Sequence, residues 1–281
     1  MIIDSHTHTA YSKHATGSVD DVVRAAIAVG VSVLTITDHA PFVIDSVNRL
    51  LESELDAYLD DICRARNKYA GHIKILAGLE MDYMLGARRH AESLLSTLDL
   101  DFVVGSVHYL PIDGQRVNVW DLTRLNEAAV LEQFFLSLEE SVCSGLFDAI
   151  GHPDSLLRSV PVSRWRELFI PLAPLFQRYD VSYELNASGP RKSSWDSSMK
   201  CEFNGRWSYP CRETLPELLS SGATFTVGSD AHTPADVGAG LNDMLDELVP
   251  IGLNCICYYE GRQRIEVAVG KPRQLSVQAS A

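Results

Sequence analysis

Met1-Ile2-Ile3-Asp4-Ser5-His6-Thr7-His8 opens the chain with a short apolar run that delivers two histidines one residue apart. In a strand, successive side chains alternate faces, so His6 and His8 point the same way. Two imidazoles side by side at a strand end are a natural pair of ligands for a divalent metal. A chance surface pair has the same sequence. What separates the two readings is whether the arrangement of apolar run followed by ligand-type side chains recurs.

It recurs six times. The apolar runs 33–37, 73–79, 102–107, 147–150, 181–185 and 224–227 end at Asp38-His39, Glu80, His108, Gly151-His152-Pro153-Asp154, Asn186 and Gly228-Ser229-Asp230-Ala231-His232. Between them lie segments with helical spacing of apolar residues. Ser18 and Asp21 form a capping-box pair at the head of a helix that Gly30 ends. Further helices are expected over 52–69, 87–98, 126–143, 164–179 (interrupted by Pro171 and Pro174), up to Ser220, and over 234–248. Residues 111–122 read as a loop, and 255–259 as a last strand. Alternating β and α segments predict an α/β fold with parallel strands and helices outside. Seven βα units, one fewer than the standard barrel, make a single domain.

At 281 residues, with 46% hydrophobic and 22% charged content, the chain can bury a large core. No apolar run approaches the roughly 20 residues of a membrane span, and no secretory signal is visible at the N-terminus. The expectation is a soluble, cytoplasmic protein with no membrane partner. A formal net charge of −13 argues against broad nucleic-acid binding through the phosphate backbone. The six cysteines contain no CxxC pair, so they read as reduced, buried fillers. Spacing alone leaves a Cys201–Cys211 bridge open.

In a parallel barrel the C-terminal strand ends share one rim, where such folds build active sites. Seven of the nine histidines (His6, His8, His14, His39, His108, His152, His232) fall at strand ends or in the loop just after one. His72 and His90 sit near helix ends and read as solvated bystanders. One strand-end histidine is usually just a hydrogen-bonded, half-buried residue. Seven on one rim, with the carboxylates Glu80 and Asp230, are not explained that way. Imidazole plus carboxylate suits borderline and transition metals, whereas magnesium or calcium prefers oxygen alone. A cluster this rich should hold two or three ions.

His6-Thr7-His8, Thr37-Asp38-His39, Gly78-Leu79-Glu80, Ser106-Val107-His108, Gly151-His152-Pro153-Asp154 and Gly228-Ser229-Asp230-Ala231-His232 resemble the motifs of the polymerase-and-histidinol-phosphatase (PHP) superfamily. Glu184-Leu185-Asn186-Ala187-Ser188-Gly189 and Tyr258-Tyr259-Glu260-Gly261-Arg262 bring the chain closer to its monofunctional histidinol-phosphatase branch. The resemblance covers residues 1–265 in consistent order. It implies a distorted seven-stranded (β/α)7 TIM-like barrel over 1–270, followed by a polar tail over 271–281, with a trinuclear metal site. By position, His6, His8, Glu80 and Asp230 would hold the first ion. Glu80 would bridge to a second, also held by His108 and His152, and His14, His39 and His232 would hold the third. The ions would be three divalent cations: zinc, iron or manganese.

A phosphate monoester needs its charge neutralised, an in-line nucleophile and help for the departing alkoxide. Paired ions supply all three, by acidifying a bridging water and clamping phosphate oxygens. Glu80, Asp230 and His232 are the catalytic candidates. Asp38 and Asn186 are expected to orient ligands, and Asp154 to do the same or to cap a helix. Arg158 and Arg191 are the candidates for phosphate contact, because a planar guanidinium matches two oxygens; Lys192 is a weaker one. The expected reaction is hydrolysis of the small-molecule phosphomonoester L-histidinol phosphate, in histidine biosynthesis. Another small sugar or nucleoside phosphate is the alternative. Oligonucleotide ends and a non-catalytic metal-binding module are remoter ones. The stretch 190–210, with Trp195, Cys201 and Trp207, departs from the family pattern where the leaving group should sit.

Overall fold

Each apolar run that precedes a ligand-type residue forms a parallel strand in the computed structural model, which describes residues 1–42, 46–121, 128–158, 160–194 and 209–270. Strands β1 (Ile2–Asp4), β2 (Val31–Ile36), β3 (Lys74–Asp82) and β4 (Phe102–Ser106) pair in that order. A separate antiparallel hairpin follows, β5 (Tyr109–Ile112) and β6 (Gln115–Asn118). Strands β7 (Ala149–Ile150), β8 (Ser182–Asn186) and β9 (Phe225–Gly228) then continue the parallel sheet.

The chain beyond β1 closes this sheet. Ser5 N donates to Val227 O at 2.9 Å, Asp230 N to His6 O at 2.8 Å and His8 N to Ala231 O at 2.8 Å. Seven parallel strands thus form a TIM-like barrel closed at its C-terminal rim, where the ligand-type residues stand.

The last two strands among the described residues lie at the opposite end. Strand β10 (Cys255–Glu260) pairs with β9 only at Thr226, then turns through Gly261-Arg262 into β11 (Gln263–Ala268). Both turn residues have positive φ, 55° and 62°, as a tight two-residue hairpin turn demands. Cys257 and Tyr259 pack against Phe102, Val104 and Ala149. Tyr259 Oη donates to Asp148 O at 2.9 Å, and Arg262 Nε to Asp148 Oδ2 at 2.5 Å. Lys74 Nζ donates to Glu260 Oε2 at 2.6 Å. Lys74 and Asp148 stand at the N-terminal ends of β3 and β7, so the hairpin lies across the barrel floor.

Eight helices pack outside: α1 (Val19–Ala28), α2 (Leu55–Lys68), α3 (Arg88–Leu95), α4 (Ala128–Cys143), α5 (Val162–Phe169), α6 (Ala173–Arg178), α7 (Leu215–Ser220) and α8 (Leu241–Leu248), counted among the described residues. The Ser18–Asp21 capping box forms at the head of α1, and Gly30 and Gly71, both at positive φ, follow α1 and α2. The buried face of α1 is Val22, Val23 and Ala26, and that of α4 includes Phe134, Leu138 and Val142. No helix among the described residues is long and apolar enough to cross a membrane.

Four expectations need correction. Residues 111–122, read as a loop, include strand residues of the β5–β6 hairpin and a 3-10 turn at Val119–Asp121. The last helix begins only at Leu241, because Gly238 and Gly240 adopt positive φ, 73° and 79°, which a helix interior does not use. Strand β3 does not end at Glu80 but runs on to Asp82. His90 is half-buried, its Nε2 3.1 Å from the Pro41 carbonyl, and only His72 is an exposed bystander. Cys63, Cys143, Cys211, Cys255 and Cys257 are free thiols. Cys201, Trp195, Trp207 and the 271–281 tail lie outside the described residues.

Candidate metal centre

Glu80 is the hub. It lies on the inner face of β3, 1% exposed, and its two oxygens face two groups of histidines. Oε2 is 2.9 Å from His39 Nδ1, 3.3 Å from His6 Nε2 and 3.5 Å from His8 Nε2. Oε1 is 3.0 Å from His152 Nε2 and 3.6 Å from His108 Nε2, and accepts from Ser106 Oγ at 2.6 Å. Asp230 Oδ1 sits 3.4 Å from both His8 Nε2 and His232 Nδ1. His6 Nε2, His8 Nε2 and His39 Nδ1 are buried and make no hydrogen bond. Buried polar atoms are nearly always satisfied, so three orphan nitrogens converging on one carboxylate call for a shared cation.

The far side of each ring reinforces this. His6 Nδ1 is 2.6 Å from Glu184 Oε1. His14 Nδ1 is 2.8 Å from Ser12 O and His232 Nδ1 3.1 Å from Asp230 O. Carbonyls and ionised carboxylates only accept, so in each ring Nδ1 carries the hydrogen. In a neutral ring Nε2 then presents a lone pair. His14 Nε2 and His232 Nε2 stand 3.0 Å apart, lone pair toward lone pair, an arrangement a metal ion relieves. Three ligand groups emerge, His6-His8-Glu80, His39-Glu80-His108 and His8-His39-His232, and the residues present fit a divalent metal cluster. In this geometry His39 turns Nδ1 toward Glu80 and stands between the second and third groups, rather than belonging to the third alone.

Electrostatics agree with the donor set. Burial penalises charge on Glu80, but His39, His6 and His108 outweigh it and hold the carboxyl well below its usual range. Burial and the adjacent His232 push His8 well below the ordinary histidine value, leaving a neutral ligand. For His6 burial is outweighed by the Glu184 and Glu80 carboxylates, which hold it well above that value. The centre demands positive charge.

The backbone is bent to make it. His152 and Asp230 have positive φ, 29° and 52°, uncommon for residues with a Cβ and concentrated at functional positions. His152 N donates to Glu184 Oε2 at 2.6 Å, and Asp230 N to His6 O at 2.8 Å, and these bonds hold both bends. Exposure grades outward. His6, His8 and Glu80 are buried, His232 is half-buried and His14 is exposed, so the rim opens to solvent on the His14–His232 side.

Of the expected supporting residues, Asp38 accepts four hydrogen bonds from Thr9 and Ser12. Asn186 donates to Glu184 Oε2 at 3.1 Å and accepts from Ser188 N at 2.9 Å. Among the described residues Asp154 neither orients a ligand nor caps a helix. Its Oδ2 accepts from Cys211 N at 2.6 Å, and burial raises its carboxyl to about 7. Arg191 also differs from expectation. NH1 donates to Ala187 O at 3.1 Å and Ala239 O at 2.8 Å, and NH2 to Ser229 O, so it staples the loops after β8 and β9 rather than presenting a free fork to phosphate. Arg158 ends a 3-10 turn at Ser155–Arg158; its side chain, like that of Lys192, lies outside the described residues.

Residues the sequence reading gave no role include Glu184 and the pair Asp82 and Arg49. Asp82 Oδ2 accepts from buried Arg49 NH1 at 2.5 Å while Oδ1 faces His108. The signal was alternation: Asp82 is two residues beyond Glu80, and Glu184 two before Asn186, so each pair shares a strand face.

The PHP domain family model matches residues 4–188. A probable histidinol-phosphatase of Deinococcus radiodurans is 29% identical over 255 residues, covering 89% of this chain and 94% of its own. The histidinol-phosphatase of Bacillus subtilis is 25% identical, covering 86% and 98%. Among solved structures, the histidinol phosphate phosphatase of Lactococcus lactis, complexed with zinc, L-histidinol and phosphate, superposes with a TM-score of 0.76 at 19% identity, covering 94% of this chain and 98% of that one.

Proposed function

The chain belongs to the PHP domain family, and from that premise we propose that it hydrolyses L-histidinol phosphate to L-histidinol and phosphate. At the coarser level it is a phosphoric monoester hydrolase of the histidinol-phosphatase type. The observation that carries the reading is the convergence of five histidine nitrogens on the two oxygens of Glu80, within 2.9–3.6 Å. Divalent ions held there would acidify water and neutralise phosphate oxygens.

We assign His6, His8, Glu80 and Asp230 to one ion, Glu80, His108 and His152 to a second, and His14, His39 and His232 to a third, with His39 placed between the second and third, and with zinc, iron or manganese as the candidates. Glu80 offers one oxygen to each of two groups. Asp230 and His232 connect the buried ligands to the open side, where the phosphate enters. Arg158 remains the candidate for its outer oxygens. With three of its N–H groups given to carbonyls, Arg191 is better suited to holding the Ser229-Asp230 turn.

A second substrate class is favoured by a probable phosphatase of Photobacterium profundum, 26% identical over 85% of this chain and named for no particular substrate. Phosphate release from a panel of monoesters by metal-analysed protein separates the two. We expect kcat/KM to be highest for histidinol phosphate and lost in Glu80→Ala. A sugar or nucleoside phosphate that outcompetes it would move the assignment to the second class, and equal rates in Glu80→Ala would remove both.

A further inference from the structure

We infer that Ser12 is a positioning residue that fixes the tautomers of His8 and His14 together, and so couples the buried and open parts of the metal centre. The inference rests on the metal-binding part of the reading above.

Ser12 is fully buried in a 3-10 turn, Ala10–Ser12, between two of the proposed ligands. The hydrogen positions around it are forced. Asp38 Oδ1 accepts Thr9 N at 2.8 Å and Ser12 N at 3.0 Å. An oxygen receiving two N–H donors bears no proton, so the Ser12 hydroxyl, 2.6 Å from the same oxygen, must donate to it. That uses its single hydrogen. The hydroxyl oxygen then has only acceptor capacity, filled by His39 N at 3.1 Å and His8 Nδ1 at 3.2 Å. His8 therefore carries its hydrogen on Nδ1, and its unpartnered Nε2 presents a lone pair toward Glu80 and Asp230.

The same residue acts on His14 through its carbonyl. Ser12 O, which can only accept, lies 2.8 Å from His14 Nδ1, so the His14 lone pair is on Nε2, facing His232 Nε2 at 3.0 Å. One residue thus sets the ligating nitrogen of a fully buried histidine and of an exposed one. It also bonds the backbone of a third ligand, His39, while Asp38 holds the turn in place.

The test uses nitrogen-15-labelled, zinc-loaded full-length protein and reads histidine tautomers from two-bond hydrogen–nitrogen correlations. His8 and His14 are both expected as Nδ1–H forms; an Nε2–H form of His8 overturns the inference without any variant. Chelator competition then compares wild type, Ser12→Ala and Ser12→Thr. Ser12→Ala is expected to weaken zinc affinity 10- to 100-fold, the range for loss of a partner to a ligating histidine, and Ser12→Thr to restore most of it. Unchanged affinity in Ser12→Ala, or equal weakening in both variants, would reduce Ser12 to a packing role. These readouts involve no substrate, so they can fail while the phosphatase reading stands, and the reverse.

Discussion

Glu184 shows how one carboxylate can serve several partners. Oε1 faces His6 Nδ1 at 2.6 Å, and Oε2 accepts from His152 N at 2.6 Å and Asn186 Nδ2 at 3.1 Å. In Glu184→Gln the amide nitrogen must confront a donor on whichever side it sits. We predict a 10- to 100-fold loss of metal affinity with the fold retained, read by chelator competition alongside circular dichroism; wild-type affinity would make Glu184 mere scaffolding. At the barrel floor, burial outweighs the Arg262 guanidinium and lifts Asp148 from 3.8 to about 6. A raised carboxyl binds its proton more tightly in the folded protein. Its contribution therefore favours folding at pH below about 3.8 and is lost as pH rises to about 6. The stability of wild type relative to Asp148→Asn should fall across that window, and a difference that stays flat in pH-dependent melting would contradict it.

At the level of elements, the motif glycines are where strands and ligands come closest. A Cβ on Gly228 would lie 2.3 Å from His6 Cβ and 2.6 Å from Glu184 Oε1. Gly228→Ala must therefore displace β1 from β9 or push His6 off its carboxylate. We predict a stability loss of about 1–3 kcal/mol, with kcat falling by orders of magnitude; full activity at full metal content would show that the rim yields freely. Local sequence made the seven parallel strands legible, because each is a short apolar run stopped by a polar ligand or a turn. It did not reveal the β5–β6 hairpin, whose Pro111 and Gly114 read as breakers. Nor did it reveal that β10 and β11 cover the floor, since that placement depends on contacts with Asp148 and Phe102, over a hundred residues earlier. The ligands were legible for the same reason as the strands. Their partners were not. Glu184 meets the His6 ring only when the barrel closes, Ser12 is near His8 and His14 in the chain but has its hydroxyl hydrogen directed by Asp38 after β2, and Arg191 is held by the Ser229 and Ala239 carbonyls of the loop after β9.

For the whole molecule, the proposed ligands run from His6 to His232 and converge only when the barrel is closed. Metal can therefore bind the folded chain far better than the unfolded one, and its binding free energy adds to stability by mass action, about 4 kcal/mol per site at a thousandfold excess over Kd. The apolar strand–helix interface is separate from the rim, so the metal-free chain should still fold. Chelation is expected to lower Tm by roughly 10 °C or more, taking about 2–4 °C per kcal/mol for a chain of this class, while far-UV circular dichroism at room temperature stays native. The increment should also depend on pH with a definite sign. Ligating imidazoles must be neutral, so protons compete with metal as pH falls through about 6.5. The Tm difference between metal-loaded and chelated protein should be largest above neutral pH and shrink toward pH 5, the reverse of the Asp148 contribution. Differential scanning calorimetry of both forms across that range decides it. A Tm difference that is absent, or that grows as the solution is acidified, would mean that the rim histidines do not hold the ions that stabilise this fold.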